Sequence, residues 1–153
     1  MAKTIYVVNG PNLNLLGSRE PEIYGSSTLK DIEDRCRATG TRHGLNVVFF
    51  QSNHEGAIID RLQEAIDTAQ GIVINAAAYT HTSIAIHDVL RAFKGFKIEL
   101  HISNPHLREP FRHVSFVSPV VDAVVAGLGT YGYELVLEVM AAELNKDEFP
   151  RSA

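Results

Sequence analysis

Side chains that can move protons and bind anions gather in four polar segments, each directly after an apolar, strand-like run. Tyrosine and histidine can act as general acids and bases, whereas arginine, asparagine and serine can hold carboxylate and hydroxyl groups. Loops are often polar, but four such segments together favour a site. They predict acid–base chemistry on a small, polar, anionic molecule. The segments are NGPNLNLLGSREPEIYGSS (9–27), QSN (51–53), NAAAYTHTS (75–83) and HISNPHLREPFRH (101–113).

Several other chemistries lack their sequence signatures. Neither G-x-G-x-x-G nor a P-loop follows the first strand-like run, so a nucleotide phosphate site is unsupported. A phospho-receiver domain would need acidic residues where this chain has Asn9 and Asn75, and a flavodoxin would need a glycine- and hydroxyl-rich loop. Lys3 and Lys97 lie at the amino ends of predicted strands, and Cys36 lies within a predicted helix. A Schiff base or a thiol nucleophile is therefore not predicted.

The histidines of the chain call for a test of metal binding. His81 and His87 are six residues apart, which places them on different faces of a helix, and no CxxC or HExxH motif is present. We therefore expect no metal site and no cofactor. The histidines near the polar segments are His81, His87, His101, His106 and His113.

Length and composition indicate one globular, cytoplasmic domain. The chain has 153 residues, of which 45% are hydrophobic and 21% charged. A net charge of −4 without any basic run disfavours a nucleic-acid partner. A single cysteine precludes an intrachain disulfide and fits a reducing compartment. The start MAKTIYVVNG does not resemble a signal peptide, and no apolar run reaches the roughly 20 residues of a membrane span.

Apolar runs rich in β-branched residues alternate with helical patterns, which is typical of a parallel sheet covered on both faces. Right-handed crossovers would give an α/β three-layer sandwich, and five strands favour the flavodoxin-like order 2-1-3-4-5. Ligands of such folds bind beyond the carboxyl ends of the strands, where the four polar segments lie. The predicted strands are 4–8, 45–50, 71–74, 97–102 and 123–128.

Four helices are predicted from apolar residues at helical spacing. Thr28 and Asp31 match a capping box before the first helix, and Ser52 and Glu55 mark the start of the second. Residues 145–153 are expected to be a frayed tail of a single catalytic domain, 1–153. The apolar stripes are Leu29, Ile32 and Cys36; Ile58, Ile59, Leu62, Ile66 and Ala69; Ala85, Ile86, Val89, Leu90 and Phe93; and Leu135, Val136, Val139 and Met140.

These segments resemble the type II 3-dehydroquinate dehydratases. The similarity runs in order from about residue 5 to 137, through NGPNLNLLGSREPEIYG, FQSNHEG, INAAAYTHTS, IELHISNPHLREPFRH and GLGTYGYEL. It implies a flavodoxin-like enzyme that converts 3-dehydroquinate to 3-dehydroshikimate and water without a cofactor. It also implies a role in shikimate biosynthesis or quinate breakdown, and trimers that assemble into a homododecamer.

The resemblance assigns roles to five catalytic residues. Tyr24 would be the base that removes a proton beside the ketone, and Arg19 on the same lid would favour its phenolate. A tyrosine needs such a cation because it is otherwise a poor base at neutral pH. Asn12 would help to hold a water that stabilises the enolate. His101 would protonate the departing hydroxyl, and Glu99 on the same strand face would orient His101.

Substrate binding is likewise implied by the resemblance. Asp88 would act in the active site of a neighbouring subunit, and the apolar segment HVSFVSPVV (113–121) independently predicts an interface. The residues expected to bind the carboxylate and hydroxyls of the substrate are Asn75, His81, Ile102, Ser103 and Arg112.

Two positions depart from the family pattern. Ala77 stands where the family usually has glycine, so a positive φ there would impose strain on alanine. His87 stands where the family often has arginine, which changes the charge next to Asp88. Two alternatives stay open at this point: a flavodoxin-like binding module such as a flavin carrier, and a family member disabled by Ala77 that serves as a structural subunit.

Overall fold

Five parallel strands form the centre of the molecule. The computed structural model describes residues 1–18 and 20–146. The strand order is β2-β1-β3-β4-β5, which confirms the predicted fold class and topology. The strands are β1 (Lys3–Asn9), β2 (Leu45–Gln51), β3 (Gly71–Asn75), β4 (Phe96–His101) and β5 (Ala123–Ala126).

Within residues 1–18 and 20–146, five α-helices connect and flank the strands. A short first helix, α1 (Pro21–Tyr24), interrupts the long loop after β1, and the four others match the predicted stripes. Short 3-10 turns complete the connections, at Leu13–Leu15, Ala77–His81, Pro105–Leu107, Pro110–Arg112 and Ser118–Val120. The longer helices are α2 (Leu29–Arg42), α3 (Glu55–Thr68), α4 (Ile84–Ala92) and α5 (Tyr131–Leu144).

The sheet is buried on both faces because successive side chains of each strand point to opposite sides. Ile5 and Val7 of β1 pack with α2 and α5, whereas Tyr6 and Val8 pack with α3 and α4. The two resulting cores make the three-layer sandwich. Its helices bury most of the predicted apolar residues, whereas Ile66, Ala85 and Val139 of the predicted stripes are exposed. The buried ones include Ile32, Cys36, Ile58, Leu62, Ile86, Leu90, Val136 and Met140.

Both predicted helix starts are correct in place, but only the first is capped as expected. The Thr28 hydroxyl accepts from the Asp31 N–H, and the Asp31 carboxylate accepts from the Thr28 N–H, which forms the expected capping box. The second helix, α3, begins at Glu55 as predicted, but its cap is His54 and not Ser52. The Ser52 hydroxyl instead accepts from the His54 N–H within the turn before the helix.

The last predicted strand is shorter than expected. β5 ends at Ala126 because Gly127 and Gly129 follow with φ values of 85° and 62°, outside the extended region. The predicted frayed tail begins where α5 ends, and its residues 147–153 lie outside the described part of the chain.

The apolar segment 113–121 is used partly inside its own chain. Val117 is completely buried in the core beside α3 and α4, and Val120 and Val121 pack against that core. Val114 is 58% exposed. The apolar character of this segment is therefore explained in part by intrachain packing, and the interface predicted from it stays a prediction. Within residues 1–18 and 20–146, the structure contains no helix long and apolar enough to cross a membrane.

Candidate active site

A cavity of about 190 Å³ opens at the carboxyl ends of β1, β3 and β4. This edge includes the switch point of the sheet, where the chain order reverses between β1 and β3. The cavity brings together most of the predicted site residues. Those in its wall are Asn12, Tyr24, Asn75, His81, His101, Ile102, Ser103 and Arg112.

Glu99 lies behind His101 and contacts its imidazole. Both side chains leave the same face of β4, and Glu99 Oε2 lies 2.5 Å from His101 Nε2. A carboxylate only accepts hydrogen bonds, so this nitrogen carries a hydrogen. The hydroxyl of Ser115 donates to both carboxylate oxygens, and the hydroxyl of Ser118 donates to Oε1.

These contacts keep the buried Glu99 ionised. Burial alone would raise the pKa of Glu99, but hydrogen bonds from His101, Ser118 and Ser115 outweigh burial and hold its pKa below the usual value. The carboxylate is 2% exposed, so its charge acts on His101 with little screening by solvent. Glu99 therefore presents a negative charge directly to the imidazole of His101.

Tyr24 is bound by an arginine that the sequence analysis did not single out. Arg108 Nη1 donates to the Tyr24 hydroxyl at 2.8 Å, and the Arg108 guanidinium carbon lies 5.6 Å from the centroid of the Tyr24 ring. The same Nη1 lies 3.4 Å from Ser103 Oγ. Arg108 therefore places a positive charge on the oxygen that is predicted to act as base.

The sequence contained only a weak signal for Arg108. It lies in the predicted substrate-binding segment 101–113, four residues before Arg112, but nothing in the spacing separates the roles of the two arginines. Arg112 instead donates from Nε to Glu109 Oε2 at 2.7 Å. Arg19, the cation expected beside Tyr24, lies outside the described residues.

Asn12 is presented to the cavity by an unusual backbone conformation. Its φ of 68° is in the left-handed region, which asparagine tolerates better than most residues. The Asn12 N–H donates to Asn53 Oδ1 at 3.0 Å, so the turn after β2 supports the loop after β1. Two of the predicted polar segments thus contact each other directly.

His81 is held in one tautomer and one orientation. Its Nδ1 lies 2.7 Å from the Val114 carbonyl oxygen, which can only accept, so Nδ1 carries the hydrogen. Burial lowers the pKa of His81, and the neighbouring His101 and Arg112 lower it further against the effect of the carbonyl. Neutral His81 therefore keeps Nε2 as a hydrogen-bond acceptor. The rings of His81 and His101 stack with centroids 6.5 Å apart.

Ala77 has the positive φ that its position suggested. Its φ is 52°, and its N–H donates to Asn75 Oδ1 at 3.2 Å. Alanine pays a steric cost in this region that glycine avoids. The turn after β3, where Ala77 lines the cavity, is therefore strained but hydrogen-bonded.

Asp88 is the predicted site residue that lies apart from the others. It is exposed on α4 and is not in the wall of the cavity within the described part of the chain. The neighbouring His87 donates from Nδ1 to the Phe116 carbonyl oxygen at 2.7 Å. Among residues 1–18 and 20–146, no three His, Cys, Asp or Glu side chains cluster as metal ligands.

Comparison with known proteins assigns the chain to a family. Residues 3–141 match the family model described as "Dehydroquinase class II". A 3-dehydroquinate dehydratase of Cereibacter sphaeroides is 61% identical over 90% of this chain and 93% of its own. One from Chelativorans sp. is 57% identical over 94% of this chain and all of its own.

A solved structure gives the same result for the fold. The type II dehydroquinase from Propionibacterium acnes is 45% identical and superimposes with a TM-score of 0.90, covering 93% of this chain and 98% of its own. Both the family model and the relatives span nearly the whole chain. This chain therefore belongs to the class II dehydroquinase family.

Proposed function

We propose that this chain is a type II 3-dehydroquinate dehydratase, a hydro-lyase that works as one catalytic domain. The observation that carries the proposal is that Tyr24 and His101 face one small cavity, with Glu99 behind His101 in contact with its imidazole. Elimination of water beside a ketone needs a base and an acid at one site, and this cavity holds a candidate for each. The family and the names of its relatives supply the substrate.

The first step is removal of a proton from the carbon beside the ketone. The Tyr24 phenolate accepts this proton, and the electron pair of the C–H bond moves into the carbonyl to form an enolate. Arg108 favours the phenolate through its hydrogen bond and its charge. Arg19 would add a second cation when its loop covers the site. Asn12 would hold a water that donates to the enolate oxygen.

The second step expels hydroxide as water. The enolate re-forms the ketone, its electrons create the new C=C bond, and the C–O bond breaks as His101 delivers a proton to the leaving oxygen. Because Nε2 of His101 is hydrogen-bonded to Glu99, Nδ1 is the nitrogen that would transfer this proton. Glu99 stabilises the imidazolium that precedes the transfer. The products are a conjugated enone and water.

The remaining residues of the cavity would bind the substrate. Arg112 carries a positive charge suited to a carboxylate, and His81 Nε2 would accept from a substrate hydroxyl. Asn75, Ile102 and Ser103 line the same wall and complete the set. No metal or cofactor is proposed, since the sequence holds no signature for either. Activity should therefore survive exhaustive chelation, and borohydride with substrate should leave the enzyme active.

The assembly, compartment and pathway also belong to this proposal. Exposed apolar side chains such as Ile84, Leu107 and Phe111 suit a homo-oligomer, trimers within a dodecamer, in which Asp88 reaches a neighbour's site. A fully active monomer in sedimentation at assay concentration would contradict this. We place the enzyme in the cytoplasm, in shikimate biosynthesis or quinate breakdown.

The direct test follows enone absorbance as purified protein acts on 3-dehydroquinate. We expect turnover with the wild-type chain and its loss with Tyr24→Phe. Absence of turnover in a folded wild-type protein would instead favour the structural-subunit alternative. A yellow protein that retains flavin would favour the binding-module alternative.

A further inference from the structure

A buried hydrogen-bond network joins the cavity to the first turn of α5. The Tyr133 hydroxyl donates to Asn9 Oδ1 at 2.7 Å, and Asn75 Nδ2 donates to the Tyr133 hydroxyl at 3.0 Å. Tyr133 is 1% exposed, Asn9 is completely buried and Asn75 is 3% exposed. Tyr133 belongs to the GLGTYGYEL motif, for which the proposed mechanism has no role.

The directions of these bonds fix the orientation of the Asn75 amide. The single hydroxyl hydrogen of Tyr133 goes to Asn9, so the hydroxyl oxygen must accept from Asn75 Nδ2. Asn75 Oδ1 is consequently turned toward the Ala77 N–H, which donates to it. With the amide flipped, two N–H donors would face each other at Ala77. Two oxygens would also face each other at Tyr133, unless the Tyr133 hydroxyl gave up its hydrogen bond to Asn9.

Asn9 is itself held in place, so one end of the network is rigid. Asn9 Nδ2 donates to the Phe50 carbonyl oxygen at 3.1 Å, and Asn9 and Asn75 are register partners at the ends of β1 and β3. The Gly10 N–H donates to the Asn75 carbonyl oxygen at 2.8 Å. A side chain at Gly10 would lie 2.3 Å from the Ala76 carbonyl oxygen, so the two strand ends approach closely.

We propose that Tyr133 is a positioning residue for substrate binding, acting through Asn75. The Tyr133 hydroxyl fixes the amide of Asn75 and, through Asn75 Oδ1, the Ala77 turn that also lines the cavity. One N–H of Asn75 remains for a substrate oxygen. The inference rests on the proposed function of Asn75 as a substrate ligand. Tyr133 thus determines substrate affinity without touching the substrate.

The main test is Tyr133→Phe, which removes the hydroxyl and keeps the ring. We expect KM to rise about tenfold while kcat changes less than about threefold, because a ground-state contact is weakened and the acid and base are intact. The pH dependence of kcat should be unchanged. The matched control is Tyr6→Phe, since Tyr6 is 3% exposed and its hydroxyl bonds Glu64 and Thr68 on the opposite face of the sheet. This control should lose stability but keep its KM.

A second variant covers the case that Tyr133→Phe does not fold. Asn9→Ala frees the Tyr133 hydroxyl from its acceptor and should also raise KM with little change in kcat. An unchanged KM in a folded Tyr133→Phe or Asn9→Ala protein would overturn the inference. So would an equal rise in KM in Tyr6→Phe, because loss of stability alone would then explain the result.

A double variant tests whether the effect passes through Asn75. In an Asn75→Ala background, Tyr133→Phe should raise KM by less than about twofold further, since the two changes break one chain of contacts. A full tenfold rise in KM in that background would overturn the inference about Tyr133 but not the proposed function. An unchanged KM in Asn75→Ala by itself would contradict the proposed role of Asn75 as a ligand, and the inference would fall with it.

Discussion

Arg108 and Tyr24 are 84 residues apart in sequence, yet the Arg108 guanidinium contacts the Tyr24 hydroxyl at 2.8 Å and lies over the Tyr24 ring. Arg108 is anchored in the loop after β4, whereas Tyr24 is the last residue of the short helix α1. The contact therefore connects the loop after β1 to the fixed wall of the cavity. It also supplies the positive charge that a tyrosine base requires.

Replacing Tyr24 with phenylalanine should abolish most of the activity. General base catalysis is worth roughly 10²–10⁴ in rate, so kcat of Tyr24→Phe should fall by at least that factor. Tyr24 is only partly buried, and the thermal unfolding temperature should be almost unchanged. Steady-state kinetics and circular dichroism measure both quantities. A near-normal kcat would mean that another group is the base.

Removal of the Arg108 cation should lower kcat. In Arg108→Ala the Tyr24 hydroxyl loses a hydrogen bond and the adjacent positive charge, so kcat should fall while KM changes little. Arg108→Lys should show a smaller fall, since lysine retains a charge. The control is Arg61→Ala, whose guanidinium lies 4.6 Å from the Phe50 ring, away from the cavity wall.

The kcat of Arg61→Ala should match that of the wild type. If Arg108→Ala instead raises KM and leaves kcat unchanged, Arg108 binds substrate and does not act through Tyr24. Arg19→Ala should also lower kcat. Independent, multiplicative losses of kcat in the double variant would indicate two independent cations.

Ala77→Gly should relieve local backbone strain. A left-handed conformation costs alanine roughly 1–2 kcal/mol, while the added freedom of glycine in the unfolded chain costs about 0.4–1 kcal/mol. The variant should therefore be as stable as the wild type or up to about 1.6 kcal/mol more stable. KM should be equal or lower. Denaturant unfolding and steady-state kinetics provide the measurements.

Ala78→Gly is the matched control for this substitution. Ala78 is exposed, lies in the same 3-10 turn and is not among the described residues with positive φ. The Ala78→Gly variant should have a lower free energy of unfolding. Glycine at position 78 relieves no strain and only increases the conformational freedom of the unfolded chain. Equal losses in the two variants would show that the strain at Ala77 is energetically unimportant.

Glu99→Gln should change how stability depends on pH. The pKa of Glu99 is lowered in the folded protein, so its ionised form stabilises the fold above the ordinary carboxyl pKa of about 4.3. That contribution is lost as pH falls through the lowered pKa. The difference in unfolding temperature between wild type and Glu99→Gln should thus have its maximum value at pH 7 and decrease below about pH 4. A gap independent of pH would contradict this.

Much of the fold could be predicted because its causes are local. Alternating apolar runs and helical stripes depend only on neighbouring residues, as does the capping box of Thr28 and Asp31. The parallel sheet follows from that alternation, and the place of the site follows from the sheet. The role of Ser52 before α3 was mispredicted because its hydroxyl had two local options, a helix cap or a turn, and the pattern did not distinguish them.

The candidate site residues were predicted by type and by family resemblance, but their pairings were decided by the tertiary structure. Arg108 with Tyr24, Tyr133 with Asn75, and Ser115 and Ser118 with Glu99 all join separate segments of the chain. Periodicity carries no information about such contacts, because they depend on how loops of particular length pack at the sheet edge. The sequence alone thus determined which groups are available for the chemistry, and packing at the carboxyl ends of the strands decided which of them act on one another.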